Sequence, residues 1–331
     1  MRVLIVKLSS LGDVIHALPV VQDIRARFAG VAIDWVVEPA FAPLLRRVDG
    51  IAEVIELPLR RWRKAWWTAA VRAEFRRFRQ RLRREPYDLV LDLQGLTKSA
   101  LVARLARGRS AGLANRTEGS SFEAPARWLV DRAITVPTRV HALDRSRLLA
   151  AAALGYAVEG PVRFGLRAVQ RPISEFVDSR PLMVFVHGTS RDDKLWPEAH
   201  WIALGRRLAQ AGWRIALPQA GAVEQARAQR VATAIGSACS VWPPLGLDQL
   251  VDRMSAARGV IGVDSGLSHI AVALDLPHVQ LYNVATAWRT GPQPAHGNQH
   301  QLSIEASSGQ AAPSLESVWT AWQSVQPPFT R

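Results

Sequence analysis

The chain has 331 residues, 48% of them hydrophobic and 21% charged, with a formal charge of +14 at pH 7. That length suits two domains of ordinary size, each with its own core, and no apolar run reaches the roughly 18 residues of a membrane-spanning helix. The opening MRVLIVKLSSLGD is broken by Lys7 and Asp13 and is not expected to act as a signal peptide; the lone Cys239 excludes an internal disulfide, and a cytoplasmic location is expected.

In chain order, short apolar runs alternate with segments of helical period, the pattern of α/β layers with parallel strands. VLIV (3–6) reads as a buried strand, followed by KLSSLGDVIHALP, where Ser, Gly and Asp13 stand at the handover to a helix predicted over 14–28. Helix capping alone accounts for such residues, and Pro19 is expected to kink that helix or confine it to an early turn. Strands follow at 32–38, 52–57 and 88–93, with helices predicted over 39–48, 65–84 and 97–107 and a further one over 141–155 that Gly155 ends. The stretch 156–180 reads as a linker. Beyond it come strands at 182–188, 213–218, 259–264 and 278–283, with helices over 198–212, 223–236, 248–257 and 267–274. LESVWTAWQSV (315–325) is amphipathic at helical spacing and is expected to pack back on the first domain. The simplest assembly is a pair of doubly wound, Rossmann-like α/β domains, 1–160 and 161–313, facing a central cleft, with ligands beyond the carboxyl ends of the strands.

The charge is concentrated rather than spread. Residues 60–84, RRWRKAWWTAAVRAEFRRFRQRLRR, hold eleven basic residues against Glu74 alone, +10 of the +14. Trp67, Val71, Phe75, Phe78 and Leu82 fall on one helical stripe there, with RRWRK read as a loop before it. A basic amphipathic helix of this kind covers its domain or lies against anionic headgroups.

Three strand ends carry candidate chemistry. In VDSGLSHIAVAL (263–274) Ser265 and Gly266 open a helix whose free amides and dipole favour an anion, with His269 one turn in; as the plain alternative, Asp264 caps the helix and His269 is a core histidine. HGTSRDDKLWP (187–197) offers Thr189, Ser190 and Lys194, a hydroxyl-and-cation set suited to a diphosphate, or else a solvated loop in which the aspartates pair with Arg191 and Lys194. In LPQAGAVEQARAQR (217–230) Glu224 starts a helix, where it could reach a ribose or, as the plain alternative, is simply the first-turn acid that the helix dipole favours.

Taken together, VLIVKLSSLGDVIHALP, RRWRKAW, DLQGLTKSA (92–100), TSRDDKLWPEAHW (189–201) and DSGLSHIAVALD (264–275) resemble the lipopolysaccharide heptosyltransferases of glycosyltransferase family 9, which have the GT-B fold. RRWRKAW and RDDK point to the first-acting type. The resemblance implies an inverting transfer of L-glycero-D-manno-heptose from ADP-heptose to the inner Kdo of Kdo-lipid A. The enzyme would be a monomer, peripheral on the anionic cytoplasmic face of the inner membrane, with no nucleic-acid partner and no required metal or cofactor. It implies Asp13 as general base on the acceptor hydroxyl; Thr189, Ser190 and Lys194 on the donor diphosphate and sugar; and Glu224 on the adenosine ribose. Asp264 would hold the heptose hydroxyls, Ser265, Gly266 and His269 would line the phosphate end, and Arg60, Arg61, Arg63 and Lys64 would meet the anionic acceptor. Ser190 stands where the family pattern usually has a second threonine, which keeps the hydroxyl. YNVATAWRTGP (282–292) departs from the family's usual strand end, so no donor-binding residue is carried over from it. The rivals are a later, II/III-type heptosyltransferase of the same family and, from another class, a basic RNA- or membrane-surface-binding protein.

Overall fold

Residues 1–169, 179–293 and 299–326 are described by the computed structural model, in which the chain divides into two units, Met1–Gly165 and Leu166–Arg331. The middle of the predicted linker, 170–178, lies outside the described residues.

The first unit runs β1 (Arg2–Val6), α1 (Leu11–Arg27), β2 (Ala32–Val37), α2 (Ala42–Leu45), β3 (Ile51–Glu56), α3 (Leu59–Ala65), α4 (Ala69–Leu82), β4 (Leu89–Asp92), α5 (Thr97–Leu105), β5 (Ser110–Leu113), α6 (Ala126–Leu129), β6 (Arg132–Ile134) and α7 (Ala142–Leu154). Its six strands are parallel in the order β3-β2-β1-β4-β5-β6. Central strands buried on both faces are apolar throughout, and β1 is the clearest case: Val3, Leu4, Ile5 and Val6 are all fully buried, with Ile5 in register with Trp35 and Leu91.

The second unit repeats the plan: β7 (Leu182–Val186), α8 (Glu198–Gln210), β8 (Arg214–Leu217), α9 (Ala222–Ile235), β9 (Cys239–Val241), α10 (Leu247–Ser255), β10 (Gly259–Val263), α11 (Gly266–Ala273), β11 (His278–Tyr282), α12 (Ala287–Thr290), β12 (Gln301–Glu305) and α13 (Leu315–Val325). Its parallel order is β12-β11-β10-β7-β8-β9. Each unit is therefore doubly wound, and the direction of winding reverses between β1 and β4 in one and between β7 and β10 in the other. In open α/β sheets such a reversal opens a crevice at the carboxyl ends of the two strands, the usual seat of a ligand.

Four expectations need correction. The helix α1 runs unbroken through Pro19; the proline withholds one hydrogen bond from the Ile15 carbonyl, but Val14, Ile15, Leu18, Val21 and Ile24 are fully buried around it and hold the helix in place. RRWRK is helix α3 rather than loop, and the next helix begins at Ala69, not 65. The segment 39–48 is a 3-10 turn at Pro39–Phe41 followed by the single turn α2. Finally, α13, expected on the first domain, is built into the core of the second unit: Val318, Ala321, Trp322 and Val325 are buried with Ile261, Val279 and Trp213. Trp322 stacks edge-on with Trp213 at 5.3 Å and lies over Gly259, where a Cβ would come within 2.1 Å of its ring. Among the described residues no helix is long and apolar enough to cross a membrane.

Candidate active site

In the first unit the reversal point is built around Asp13, the third residue of α1. Its Oδ2 accepts hydrogen bonds from the Ser10 amide (3.2 Å) and hydroxyl (2.9 Å), so it does cap the helix. Its Oδ1 has another environment: Lys7 Nζ lies at 3.7 Å and Arg145 Nη2 at 3.9 Å. Burial by itself would raise this carboxyl; the Lys7 and Arg145 charges and the Ser10 bonds outweigh it and hold the group below the usual carboxylate range. The side chain is nonetheless 41% exposed. Asp13 is thus an ionised carboxylate that solvent-side partners can reach, and capping and chemistry are compatible because its two oxygens divide the work.

Deeper residues fix that geometry. Lys7, at the end of β1, is buried, donates to the Leu93 carbonyl at 3.1 Å, and is pushed down by burial to about 8. Asp92, at the end of β4, is pushed up by burial to about 6 and accepts from the Gln94 and Gly95 amides and the Ser99 hydroxyl. Gln94 then ties the two strand ends together, accepting from the Leu8 amide at 2.7 Å and donating to the Ser9 carbonyl at 2.9 Å. Glu38 bonds the Leu8 carbonyl through its amide (3.2 Å), and its carboxylate takes the Arg60 amide (3.2 Å), which places the start of α3 on the same rim. Arg60, Arg61, Arg63 and Lys64 are exposed on α3, and Arg61 is paired with Glu74.

In the second unit the reversal point gathers Thr189 and Lys194, which follow β7, with Asp264, Ser265, Gly266 and His269, which follow β10. Lys194 Nζ is 2.6 Å from Asp264 Oδ2, His269 Nε2 is 3.6 Å from its Oδ1, and Thr189 Oγ1 donates to the Asp264 carbonyl at 3.2 Å. Burial would raise Asp264; His269 and Lys194 reverse that and hold it far below the ordinary carboxylate range. Asp264 does not cap α11. The capping position is Ser265, which makes no side-chain cap bond, and its hydroxyl is enclosed without a partner among the described residues. An enclosed hydroxyl left unsatisfied at a helix N-terminus is costly unless something else bonds it, and the position suits an anion. Of the paired-loop alternative only half is present: Arg191 pairs with Asp193, while Lys194 turns to Asp264. Ser190 is exposed beside them.

Glu224, near the start of α9, is bonded to the Ala220 amide at 2.6 Å and raised by burial. It lies against Gly188, where a Cβ would stand 1.4 Å from its Oε1, so only glycine at the end of β7 leaves room for it.

Three residues of the 282–292 stretch that sequence reasoning set aside, Tyr282, Asn283 and Thr290, also join the site. Asn283 Nδ2 donates to the carbonyls of Asp193 (2.9 Å) and Leu195 (3.0 Å), clamping the turn that carries Lys194. Thr290 links Asp264 Oδ1 at 3.5 Å to Tyr282 Oη at 3.3 Å, which Gln280 bonds in turn at 2.9 Å. Lys7 and Arg145 were missed as well. A lysine closing an otherwise apolar strand was the available signal for the first; Arg145 is too far along the chain for local pattern to connect it with Asp13. Among the described residues no group of three or more His, Cys, Asp or Glu is placed to hold a metal ion.

The glycosyltransferase family 9 (heptosyltransferase) profile matches residues 75–319. Lipopolysaccharide heptosyltransferase 1 of Pseudomonas aeruginosa is 41% identical over 293 residues, 88% of this chain and 81% of the relative. The E. coli heptosyltransferase WaaC solved with ADP superposes with a TM-score of 0.86 at 34% identity, covering 98% of this chain and all of that one; the same enzyme solved with ADP-2-deoxy-2-fluoro heptose gives 0.81 at 34% identity, with 98% and 99% covered. With its two parallel six-stranded sheets wound in GT-B fashion, the chain belongs to glycosyltransferase family 9, the heptosyltransferases.

Proposed function

We propose that the chain transfers L-glycero-D-manno-heptose from ADP-heptose to the inner Kdo of Kdo-lipid A, with inversion, at the anionic cytoplasmic face of the inner membrane. The observation that carries this is the division of labour between the units: one presents an ionised, partly exposed carboxylate, the other a cation, an enclosed hydroxyl with no partner among the described residues and a helix N-terminus. Asp13 takes the proton of the acceptor hydroxyl as that oxygen attacks the anomeric carbon. The bond from that carbon to the diphosphate oxygen breaks, and ADP leaves with the electron pair. A positioned base contributes about 10²–10⁴-fold; Lys194, the Ser265 hydroxyl and the α11 amides would stabilise the charge that develops on the leaving group. Asp264, already ionised, accepts from the heptose hydroxyls, and Glu224 from the ribose. Relatives solved with ADP and with a fluoro analogue of ADP-heptose support the choice of donor. The exposed cations of α3 suit a phosphorylated, acidic acceptor.

The test is mass spectrometry of Kdo-lipid A after incubation with the protein and ADP-heptose. A gain of one heptose is expected. A gain seen only on an acceptor that already carries a heptose would instead assign a later step.

A further inference from the structure

The basic segment is a helical hairpin with an aromatic tip. Trp62 of α3 is buried edge-on against Phe75 (5.9 Å) and Phe78 (5.8 Å) of α4, and its indole donates to Glu74 at 2.8 Å. Arg61 pairs with the same Glu74, folding the short helix back on the long one. Thr68 closes the turn, donating to the Ala65 carbonyl and accepting from the Val71 amide, and Arg72 donates to the Trp67 carbonyl at 2.6 Å. So held, the turn presents two adjacent tryptophans to solvent, Trp66 at 66% and Trp67 at 60% exposed. The helical stripe therefore does not supply only core: Val71, Phe78 and Leu82 are buried, while Trp67 and, at 40%, Phe75 are exposed.

We propose that this tip is a bilayer anchor, in which Trp66 and Trp67 seat among the headgroups of an anionic leaflet while Arg72, Arg76 and Arg77 meet lipid phosphates. Indole rings favour the zone between water and hydrocarbon, and arginines beside them keep their charge in the headgroup layer. An excess of ten positive charges over 60–84 argues against a second copy of this chain as the occupant, since like surfaces would repel. The membrane location rests on the proposed function; the tryptophan tip is the added claim.

The experiment is sedimentation of the full chain with vesicles of phosphatidylcholine alone or mixed with phosphatidylglycerol, both without any acceptor, for the wild type and for Trp66→Ser/Trp67→Ser. The wild type should partition to the anionic vesicles only, salt-dependently, and its fluorescence should be quenched by brominated lipid. The double variant should partition about tenfold or more weakly, because two large apolar side chains no longer leave water. It should turn over a de-acylated, water-soluble acceptor at the wild-type rate. Equal partitioning of wild type and double variant overturns the anchor and leaves the membrane location to the arginines alone. No partitioning of the wild type overturns both. Turnover of the soluble acceptor tests the transferase assignment separately from either.

Discussion

Asp13→Asn separates chemistry from architecture at the proposed base. An amide oxygen can keep the Ser10 bonds now made by Oδ2, so α1 should start where it does. What disappears is the charge 3.7 Å from Lys7 Nζ and 3.9 Å from Arg145. Breaking a buried pair costs about 3–5 kcal/mol. Here the carboxylate is 41% exposed and Asp92 still faces Lys7, so solvent screening reduces the cost to about 1–2 kcal/mol. For a unit of this size that lowers Tm by a few degrees, about 2–4 °C per kcal/mol, and the protein stays folded at room temperature. The expected loss of kcat is about 10²–10⁴-fold, a barrier increase of roughly 3–5 kcal/mol, more than the stability loss can imitate. The assay is ADP release at saturating donor and acceptor, with a urea midpoint on the same preparation and ADP affinity by calorimetry. ADP affinity should be unchanged, since the residues assigned to ADP belong to the second unit. A kcat within threefold of wild type, at unchanged ADP affinity, refutes the base assignment.

Other outcomes follow from the second unit. Asn283→Ala removes two hydrogen bonds from the turn bearing Lys194; at about 0.5–1.5 kcal/mol each, the donor KM should rise by about tenfold with a smaller change in kcat, and a KM unchanged within twofold would show that the clamp is dispensable. Gly188→Ala forces the Glu224 carboxylate aside; steady-state assays should show weaker donor binding in a folded protein, and unaltered ADP affinity would remove Glu224 from the ribose site. His187 and His278 are buried and pushed down to about 4 from an ordinary 6.5. The folded state holds them neutral, so their contribution is complete above pH 6.5 and is lost as pH falls from 6.5 towards 4, about 2 kcal/mol each by pH 5. Urea midpoints at pH 7 and pH 5 should show this slope, and His187→Gln/His278→Asn should flatten it; parallel slopes would place the acid sensitivity elsewhere.

What local sequence reveals here is burial and punctuation. The strands β1, β7 and β10 announce themselves as apolar runs because both faces are covered, and α7 because Gly155 ends it in the left-handed conformation. The short outer strands β6 (RAI) and β9 (CSV) carry no such run, and β5 (SAGL) is made of small residues that fit between neighbours. RRWRK misleads because its one apolar residue, Trp62, gives no period; the helix forms because that indole finds Phe75 and Phe78. At the site, Asp264 was legible because a charged residue closing a buried strand seldom serves packing, and Asp13 and Lys194 because they stand in the polar segments that follow one. The groups that tune or hold them were not: Arg145 reaches Asp13 from α7, and Asn283 reaches the Lys194 turn from beyond β11. Such contacts exist only once the sheet order is known.

The two units share a strand order, yet their helix N-termini are used oppositely, and that difference can be turned into a test. At α1 the positive end of the helix is already filled by the chain's own carboxylate, so a phosphate placed there would meet Asp13. At α11 the cap hydroxyl of Ser265 is uncommitted among the described residues, and the adjacent carboxylate, Asp264, is held by Lys194 and His269. Under the proposed function the diphosphate belongs at α11 for this reason. Ser265→Asp would install there what α1 already has. Aspartate is as good a helix cap as serine and the dipole favours its charge, but the position is enclosed and Asp264 opposes it, so a stability loss of about 1–3 kcal/mol is expected. ADP binding should fall by 100-fold or more, because a fixed carboxylate competes for the same amides and repels the phosphates. Loss of ADP binding in a protein whose urea midpoint shows it still folded at room temperature is a combination that general misfolding does not produce. Retained ADP affinity in Ser265→Asp would move the diphosphate away from α11 and with it the roles assigned to Gly266 and His269.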